Sequence, residues 1–189
     1  MLPGRRIDPR PPTLNAAAYK CNPPRSNSPM PIPVGIVTIS DRAFRGLYPD
    51  LSGPALKQAA DARGWQTLAQ TVVPDDIPQI QQAIRAQIAA GARLILTTGG
   101  TGVALCDVTP EAVRALAARE LPGFGELMRR ESQRLTPHGI LSRCLAVVID
   151  RALVICLPGN PAGAMECLGF VAPAIPHCLE LLAESSGAD

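Results

Sequence analysis

The amino-acid sequence predicts an α/β protein built on a parallel sheet. Short aliphatic runs alternate three times with segments of helical periodicity, and this alternation is typical of parallel α/β sheets. Residues that favour turns, chiefly glycine, proline and aspartate, follow each aliphatic run within a few positions, which separates the strands from the helices. Hydrophobic residues make up 47% of the 189 residues, enough for a full core.

Residues 1–33 are predicted to be an extension outside the sheet. They contain nine of the 20 prolines and five Lys/Arg against one Asp, and such a segment buries too little apolar surface to fold alone. We therefore expect a mobile or partly docked extension over 1–33, a domain over 34–184 and a frayed tail over 185–189. Because the remaining chain is slightly acidic and aromatics are only 3% of all residues, we expect no nucleic-acid partner.

The first half of the domain reads as two strand–helix units. A β-branched run over 34–40 is typical of a central parallel strand. A helix over 54–63 is ended by Gly64, and a strand over 67–73 stops at a Pro-Asp-Asp sequence. The next helix spans about 77–90, with isoleucines at helical spacing on one face.

The second half begins with a third strand at 94–96, which runs into a glycine-rich loop at 97–110. A hairpin is expected beyond it, formed by strands over 145–149 and 152–157 around Asp150 and Arg151. Helices are predicted over 111–119, 126–135, 162–171 and 173–183.

The glycine-rich loop is a candidate anion site. It contains Gly99, Gly100 and Gly102, and Thr109, Pro110 and Glu111 follow as N-cap, first helical residue and first-turn acid. Free backbone N–H groups beside a helix start bind phosphate well. The loop completes neither a dinucleotide fingerprint nor a P-loop, and its glycine content alone fits a plain tight turn equally.

Carboxylates near the strand ends suggest a metal. Asp75 follows the second strand, and Asp107 lies in the glycine-rich loop after the third. Because ligands of parallel α/β sheets lie outside the carboxyl ends of strands, Asp75 and Asp107 on neighbouring strand ends could share Mg²⁺ or position a nucleotide. The alternative is helix capping, a role that suits Asp76 better. The polar loop beginning at Asp41 is a second site candidate.

Cysteine and histidine usage predicts neither a zinc site nor disulfides. The six cysteines form no Cys-x-x-Cys pair, and several lie in apolar runs, which favours small buried side chains. His138 and His177 have no ligand spacing. No segment reaches the roughly 18 apolar residues of a membrane span, and the N-terminus has no continuous apolar run of a signal peptide. We expect a cytoplasmic protein without a membrane partner.

Taken together and in order, the motifs resemble a known family. They cover roughly residues 34–182 and are Val-Thr-Ile-Ser-Asp-Arg at 37–42, Val-Pro-Asp at 73–75, Thr-Thr-Gly-Gly-Thr-Gly at 97–102, Asp-Val-Thr-Pro at 107–110, Pro-Gly-Phe-Gly-Glu at 122–126, Leu-Ser-Arg at 141–143 and Leu-Pro-Gly-Asn-Pro at 157–161. On these motifs the chain resembles the molybdopterin adenylyltransferases of molybdenum-cofactor biosynthesis.

The resemblance implies a three-layer α/β/α sandwich of the molybdopterin-binding fold, usually assembled as a homotrimer. It implies transfer of AMP from Mg-ATP to the terminal phosphate of molybdopterin, with release of pyrophosphate. The adenylyl-molybdopterin would then be handed to the molybdate-inserting enzyme. A non-catalytic pterin-binding or carrier protein of the same fold is the alternative, which the presence of both acidic residues disfavours.

The resemblance also implies site residues at matching positions. Asp75 and Asp107 match the two acidic residues used for catalysis, nucleotide and Mg²⁺. The implied substrate- and nucleotide-binding residues are Asp41, Gly99, Gly100, Thr101, Gly102, Ser142, Gly159 and Asn160. The chain departs from the pattern in its extension and in Ala-Gly-Ala at 162–164, where some relatives carry a basic residue.

Overall fold

The computed structural model describes residues 31–184, so almost all of the predicted extension and the predicted frayed tail lie outside the described residues. Its strands are β1 (Pro33–Ile39), β2 (Gln66–Val73), β3 (Leu94–Thr98), β4 (Arg119–Glu120), β5 (Ala146–Ile149) and β6 (Ala152–Leu157). Its helices are α1 (Asp41–Phe44), α2 (Ser52–Asp61), α3 (Ile77–Ala89), α4 (Thr109–Arg114), α5 (Pro122–Leu135), α6 (Pro161–Val171) and α7 (Ile175–Glu184), with 3₁₀ helices at Pro137–Leu141 and Ala172–Ala174.

The six strands form one mixed sheet in the order β2-β1-β3-β6-β5-β4. The four strands β2, β1, β3 and β6 are parallel, which confirms the prediction from the strand–helix alternation. β5 and β6 form the predicted antiparallel hairpin, and β4 pairs antiparallel with β5 at the edge. β1 and β3 are buried along nearly their whole length, as expected of central parallel strands.

Helices cover both faces of the sheet and give the expected three layers. One core cluster joins alternate residues of the strands, such as Val34 and Ile36, to α2, α5, α6 and α7. The second joins the intervening residues, such as Val37 and Ile39, to α3 and α4. Because successive side chains of a strand point to opposite faces, one apolar run serves both cores.

The order of strands corrects one prediction. Asp75 and Asp107 do not follow neighbouring strands, because β1 lies between β2 and β3 in the sheet. The chain leaves β1 to one side to form β2 and returns on the other side to form β3. This is a topological switch point, the place where open α/β sheets form a crevice at their carboxyl edge.

The segment after the glycine-rich loop also differs from prediction. α4 begins at Thr109 and ends at Arg114, with Val108 as N-cap, whereas a helix over 111–119 capped by Thr109 was expected. The Thr109 side chain points back into the loop and donates a 2.9 Å hydrogen bond to the carbonyl of Gly99. Arg119 and Glu120 extend the sheet as β4 because the hairpin offers them an edge. α5 begins at Pro122, four residues earlier than predicted.

One helical stretch, Pro161–Glu184, is long and apolar enough to cross a membrane, with a mean hydropathy of 1.3 over its best window. It consists of α6, the 3₁₀ helix Ala172–Ala174 and α7 rather than one continuous α-helix. Leu168, Val171 and Ile175 of this stretch are buried in the core against the sheet. Only 28% of its best window is buried, so core packing accounts for part of its apolar character.

Candidate active site

A cleft of about 310 Å³ opens at the carboxyl edge of the sheet, above the switch point. Three of its walls are the end of β1 with the loop that follows, the glycine-rich loop after β3, and the loop after β6. Asp75 and Asp107 both line it, together with Gly99, Gly100 and Gly159. The tertiary structure thus brings together residues that the sequence separates by more than 80 positions.

The glycine-rich loop turns sharply as it leaves β3. Gly99 and Gly100 have φ angles of 104° and 60°, which side chains rarely adopt. The N–H of Gly99 still continues the sheet by donating to Leu157. Within residues 31–184, the N–H groups of Gly100, Thr101 and Gly102 have no acceptor. Successive unpaired N–H groups in such a turn form an anion-binding nest.

The start of α4 is a weaker contributor than the sequence suggested. α4 has only six residues, so its dipole is small. The Thr109 N–H is already used by the carbonyl of Gly100, and Pro110 has no N–H. The loop amides, rather than the helix end, are therefore the free backbone donors of this wall.

Asp75 lies among other carboxylates. Its Oδ2 accepts a 3.1 Å hydrogen bond from the N–H of Asp41, and its own N–H donates to Asp41 Oδ1 at 3.3 Å. Burial raises the pKa of Asp75 above the ordinary aspartate value; the Asp41 N–H opposes this, and the charges of Asp41 and Asp107 add to it. A cation at this position would relieve both the burial and the repulsion.

The acidic residues fit a magnesium ion bound together with phosphate. Within the described part of the chain no three Asp, Glu, His or Cys side chains come close enough to form an all-protein metal site. Mg²⁺ is usually held by one or two carboxylates plus phosphate oxygens and waters. Asp75 and Asp107 match that donor set, and the charge of Asp107 reaches Asp75.

The structure adds an acidic anchor that the motif analysis did not single out. Asp50 Oδ1 accepts from the N–H groups of Ser52 and Gly53 at the start of α2, and its Oδ2 accepts from the Thr38 hydroxyl at 2.9 Å. Asp50 therefore accepts hydrogen bonds from the first amides of α2, which have no partner within the helix. It holds the loop after β1 against the strand and lines the cleft at the same time.

Arg42 and Tyr48 form the remaining outer wall. The guanidinium of Arg42 lies 5.2 Å from the centroid of the Tyr48 ring, a cation–π arrangement. Arg42 is the only cationic side chain among the described residues that line the cleft, whereas Asp50, Asp75 and Asp107 are carboxylates. The lining as a whole is therefore acidic.

The loop after β6 is fixed from two sides. The Thr98 hydroxyl donates to the carbonyl of Pro158 at 2.6 Å, and the Ser52 hydroxyl donates to that of Gly159 at 2.8 Å. Asn160 caps α6, because its Oδ1 accepts from the N–H groups of Ala162 and Gly163. Gly159 packs directly against Gly99, where an added Cβ would lie 3.2 Å from the Gly99 Cα.

Several predicted site residues lie beside the cleft rather than on its lining. Asp41 is hydrogen-bonded to Asp75, which lines the cleft, and Asn160 is the N-cap of α6. Ser142 follows the 3₁₀ helix, and its hydroxyl accepts a 3.4 Å hydrogen bond from the N–H of Cys144. Thr101 is buried, and Gly102 lies directly beside Asp107. Their roles stay predictions.

Of the five cysteines within residues 31–184, three are buried as predicted, Cys178 is partly buried and Cys106 is exposed. Cys144, Cys156 and Cys167 are buried in the core, and burial raises the pKa of Cys156 to about 12 and that of Cys167 to about 11. Cys106 is exposed and lines the cleft beside Asp107. His138 and His177 are exposed, as expected.

Comparisons with known proteins show the family to which the chain belongs. The family model described as "Probable molybdopterin binding domain" matches residues 35–177. The chain is 42% identical over 154 residues to a molybdopterin adenylyltransferase of Helicobacter pylori, covering 80% of this chain and 88% of that protein. It is 39% identical over 170 residues to the molybdopterin adenylyltransferase of Escherichia coli, covering 79% and 84%.

Solved structures share the fold. The molybdopterin biosynthesis enzyme MoaB of Thermus thermophilus superposes with a TM-score of 0.76 at 44% identity, covering 80% of this chain and 96% of that one.

Proposed function

The chain belongs to the family of molybdopterin-binding domains, and we infer that it is a molybdopterin adenylyltransferase of molybdenum-cofactor biosynthesis. The enzyme transfers an adenylyl group to molybdopterin. ATP as the adenylyl donor and molybdopterin as the acceptor follow from that activity. The observation that carries the inference is the cleft, which Asp75, Asp107 and Gly100 line and which the unpaired amides of the glycine-rich loop adjoin.

Electrostatics explains why this cleft suits the reaction. A phosphate of one substrate must attack the α-phosphorus of the other, so two polyanions have to come together. Alignment and charge neutralisation then dominate catalysis. The attacking phosphate oxygen is already ionised, and no nucleophilic side chain or separate general base is needed.

The lining cannot neutralise this charge by itself, because it carries three carboxylates and one guanidinium among its described residues. We propose that Mg²⁺ enters with ATP and is held by Asp75 and Asp107. When bound, the ion supplies Lewis-acid stabilisation of the charge that develops on the phosphates. Asp41 orients Asp75 through its backbone N–H.

The remaining residues position the two phosphate chains. The N–H groups of Gly100, Thr101 and Gly102 donate to phosphate oxygens, preorganised by the turn at Gly99. Gly159 lets the loop after β6 approach the nucleotide, with Asn160 holding that loop onto α6. Ser142 contacts substrate from the segment that follows the 3₁₀ helix.

A direct assay separates the enzyme from a pterin carrier. Purified protein is incubated with molybdopterin, ATP and Mg²⁺, and pyrophosphate release is followed together with adenylyl-molybdopterin. We expect both products in equal amounts. Tight molybdopterin binding without either product would refute the transferase and leave the carrier.

Two single variants test the role of Asp107. Asp107→Ala should lower kcat by at least about 10²-fold, the usual loss when a charge-stabilising group is removed, with molybdopterin affinity nearly unchanged. Asp76→Ala is the matched control, because Asp76 is also an aspartate after β2 but only caps α3 through the N–H of Gln79. It should lose about 1 kcal/mol of stability and keep full activity. Normal turnover by Asp107→Ala would refute the magnesium assignment.

The assembly and cellular setting are further proposals. We propose a cytoplasmic homotrimer that passes its product to the molybdate-inserting enzyme. Exposed apolar side chains at Val103, Leu105, Ile140 and Leu141 support an interface between subunits. Sedimentation equilibrium should give three times the 19.9 kDa of the chain.

A further inference from the structure

Arg143 is the only described residue outside the 102–107 loop that donates hydrogen bonds to it. Its Nε donates to the carbonyl of Gly102 at 2.6 Å, and its Nη2 donates to the carbonyl of Asp107. These two carbonyls lie at opposite ends of the loop. The planar guanidinium therefore bridges the loop across its base.

The loop has little else to hold it. Its other hydrogen bonds among described residues are internal, from the Asp107 N–H to the Ala104 carbonyl and from the Ala104 N–H to Asp107 Oδ2. Val103 is 68% exposed and Leu105 is fully exposed. Within one subunit the loop thus lacks packed apolar side chains at its tip, and Arg143 donates the hydrogen bonds that tie it to the rest of the chain.

The carboxylate of Asp107 is fixed relative to that loop. Its Oδ2 accepts from Ala104 at 2.8 Å, and an added Cβ on Gly102 would lie 2.8 Å from the same oxygen. Whatever holds the two ends of the loop therefore also places the carboxylate in the cleft.

Arg143 is itself held from both sides. Its N–H donates to the carbonyl of Thr101 at 3.0 Å, and its Nη1 pairs with the carboxylate of Glu111 on α4. Arg143 does not line the cleft. Any effect it has on chemistry must be transmitted through Asp107 and the loop amides.

We propose that Arg143 is a positioning residue for adenylyl transfer, which sets the place of the Asp107 carboxylate by bridging the carbonyls of Gly102 and Asp107. The proposal rests on the proposed function through the role of Asp107. A lysine cannot reproduce the bridge, because its single ammonium lacks the planar fork of donors.

The test compares Arg143→Lys and Arg143→Ala with Arg114→Gln. Arg114 is the matched control, since it also forms an ion pair between α4 and a neighbouring segment, at 3.1 Å to Glu120, but does not touch the loop. We expect kcat to fall about tenfold in Arg143→Lys and about 10²-fold in Arg143→Ala, the scale of a 1 Å misplacement. The Mg²⁺ concentration for half-maximal rate should rise, while molybdopterin affinity should stay within about twofold, as for loss of a transition-state contact.

Two readouts separate positioning from simple loss of stability. Amide exchange at Ala104 and Asp107 should accelerate in both Arg143 variants and stay unchanged in Arg114→Gln. In an Asp107→Asn background, Arg143→Ala should cost much less than in the wild type, because the two residues act as one unit. An equal cost in both backgrounds overturns the proposal, and so does unchanged amide exchange in Arg143→Lys.

The two failures can be told apart. If the wild-type protein forms no adenylyl-molybdopterin, the proposed function falls and the role of Arg143 in transfer falls with it. If the wild type forms product and Arg143→Lys retains its kcat and Mg²⁺ dependence, only the Arg143 proposal is overturned.

Discussion

Gly99→Ala tests whether the turn after β3 depends on the absence of a side chain. At this residue φ is 104°, and an added Cβ would lie 2.1 Å from the Ile39 carbonyl oxygen of β1. The left-handed conformation costs about 1–2 kcal/mol, and displacing a backbone carbonyl of the buried sheet adds about 1–3 kcal/mol. We therefore expect a loss of about 2–5 kcal/mol in the free energy of unfolding. Urea denaturation followed by circular dichroism measures it.

Gly91→Ala separates the two contributions. Gly91 has φ of 98°, close to that of Gly99, but an added Cβ there would meet no atom within 4 Å. It should lose only the conformational part, about 1–2 kcal/mol. For an m-value of about 2 kcal/mol/M, the two midpoints should differ by about 0.5–1.5 M urea.

Equal losses in the two variants would refute the contact argument and leave backbone strain as the whole effect. A fall in adenylyl transfer by folded Gly99→Ala is also expected, because a displaced Gly99 moves the amides of Gly100 to Gly102.

Two other predictions concern buried polar groups. Asp75→Asn should abolish transfer yet raise Tm at pH 7, because it removes a carboxylate whose charged form is disfavoured by burial and by its acidic neighbours. A carboxylate whose pKa is raised in the folded state destabilises that state as pH rises through that pKa. The Tm difference between Asp75→Asn and the wild type should therefore disappear at pH below the ordinary aspartate pKa. A Tm difference that does not change with pH would contradict this reasoning. Gly35→Ala places a Cβ 2.0 Å from Gln87 Oε1, and Gln87→Ala removes that clash along with a hydrogen bond to the Ile36 carbonyl. The double variant should lose about 1–3 kcal/mol less free energy of unfolding than the sum of the losses of the two single variants. Simple additivity of the losses would show that the two residues do not share this space.

Much of the site could be predicted because its residues follow strand ends. Asp75, Gly99 and Gly100 come within two residues of the ends of β2 and β3, and in a parallel sheet such positions share one edge. Asp76 was also correctly predicted as a helix cap, since its spacing to the next helix is local. Local spacing was misleading at Thr109, where a hydrogen bond to Gly99 replaced the cap.

Asp50 was predicted only as one residue of the polar loop after β1, because its partners, the Thr38 hydroxyl and the amides of α2, converge only when the loop folds back over β1. Arg143 was noticed only as part of a motif, since the carbonyls it bridges are 41 and 36 residues away. Periodicity carries no information about such pairs.

By itself the sequence determined the α/β class, the positions of most strands and helices, and a glycine-rich loop with carboxylates at the strand ends, because these follow from residue spacing within one or two elements. Only the tertiary structure decided that β1 separates β2 from β3 and that Asp75 and Asp107 line one cleft above a switch point. It alone showed how Arg143 holds the loop that carries Asp107. The physical reason is that strand order and loop position are set by contacts between distant segments, where packing of two cores and a few hydrogen bonds select one arrangement among many that the local pattern allows.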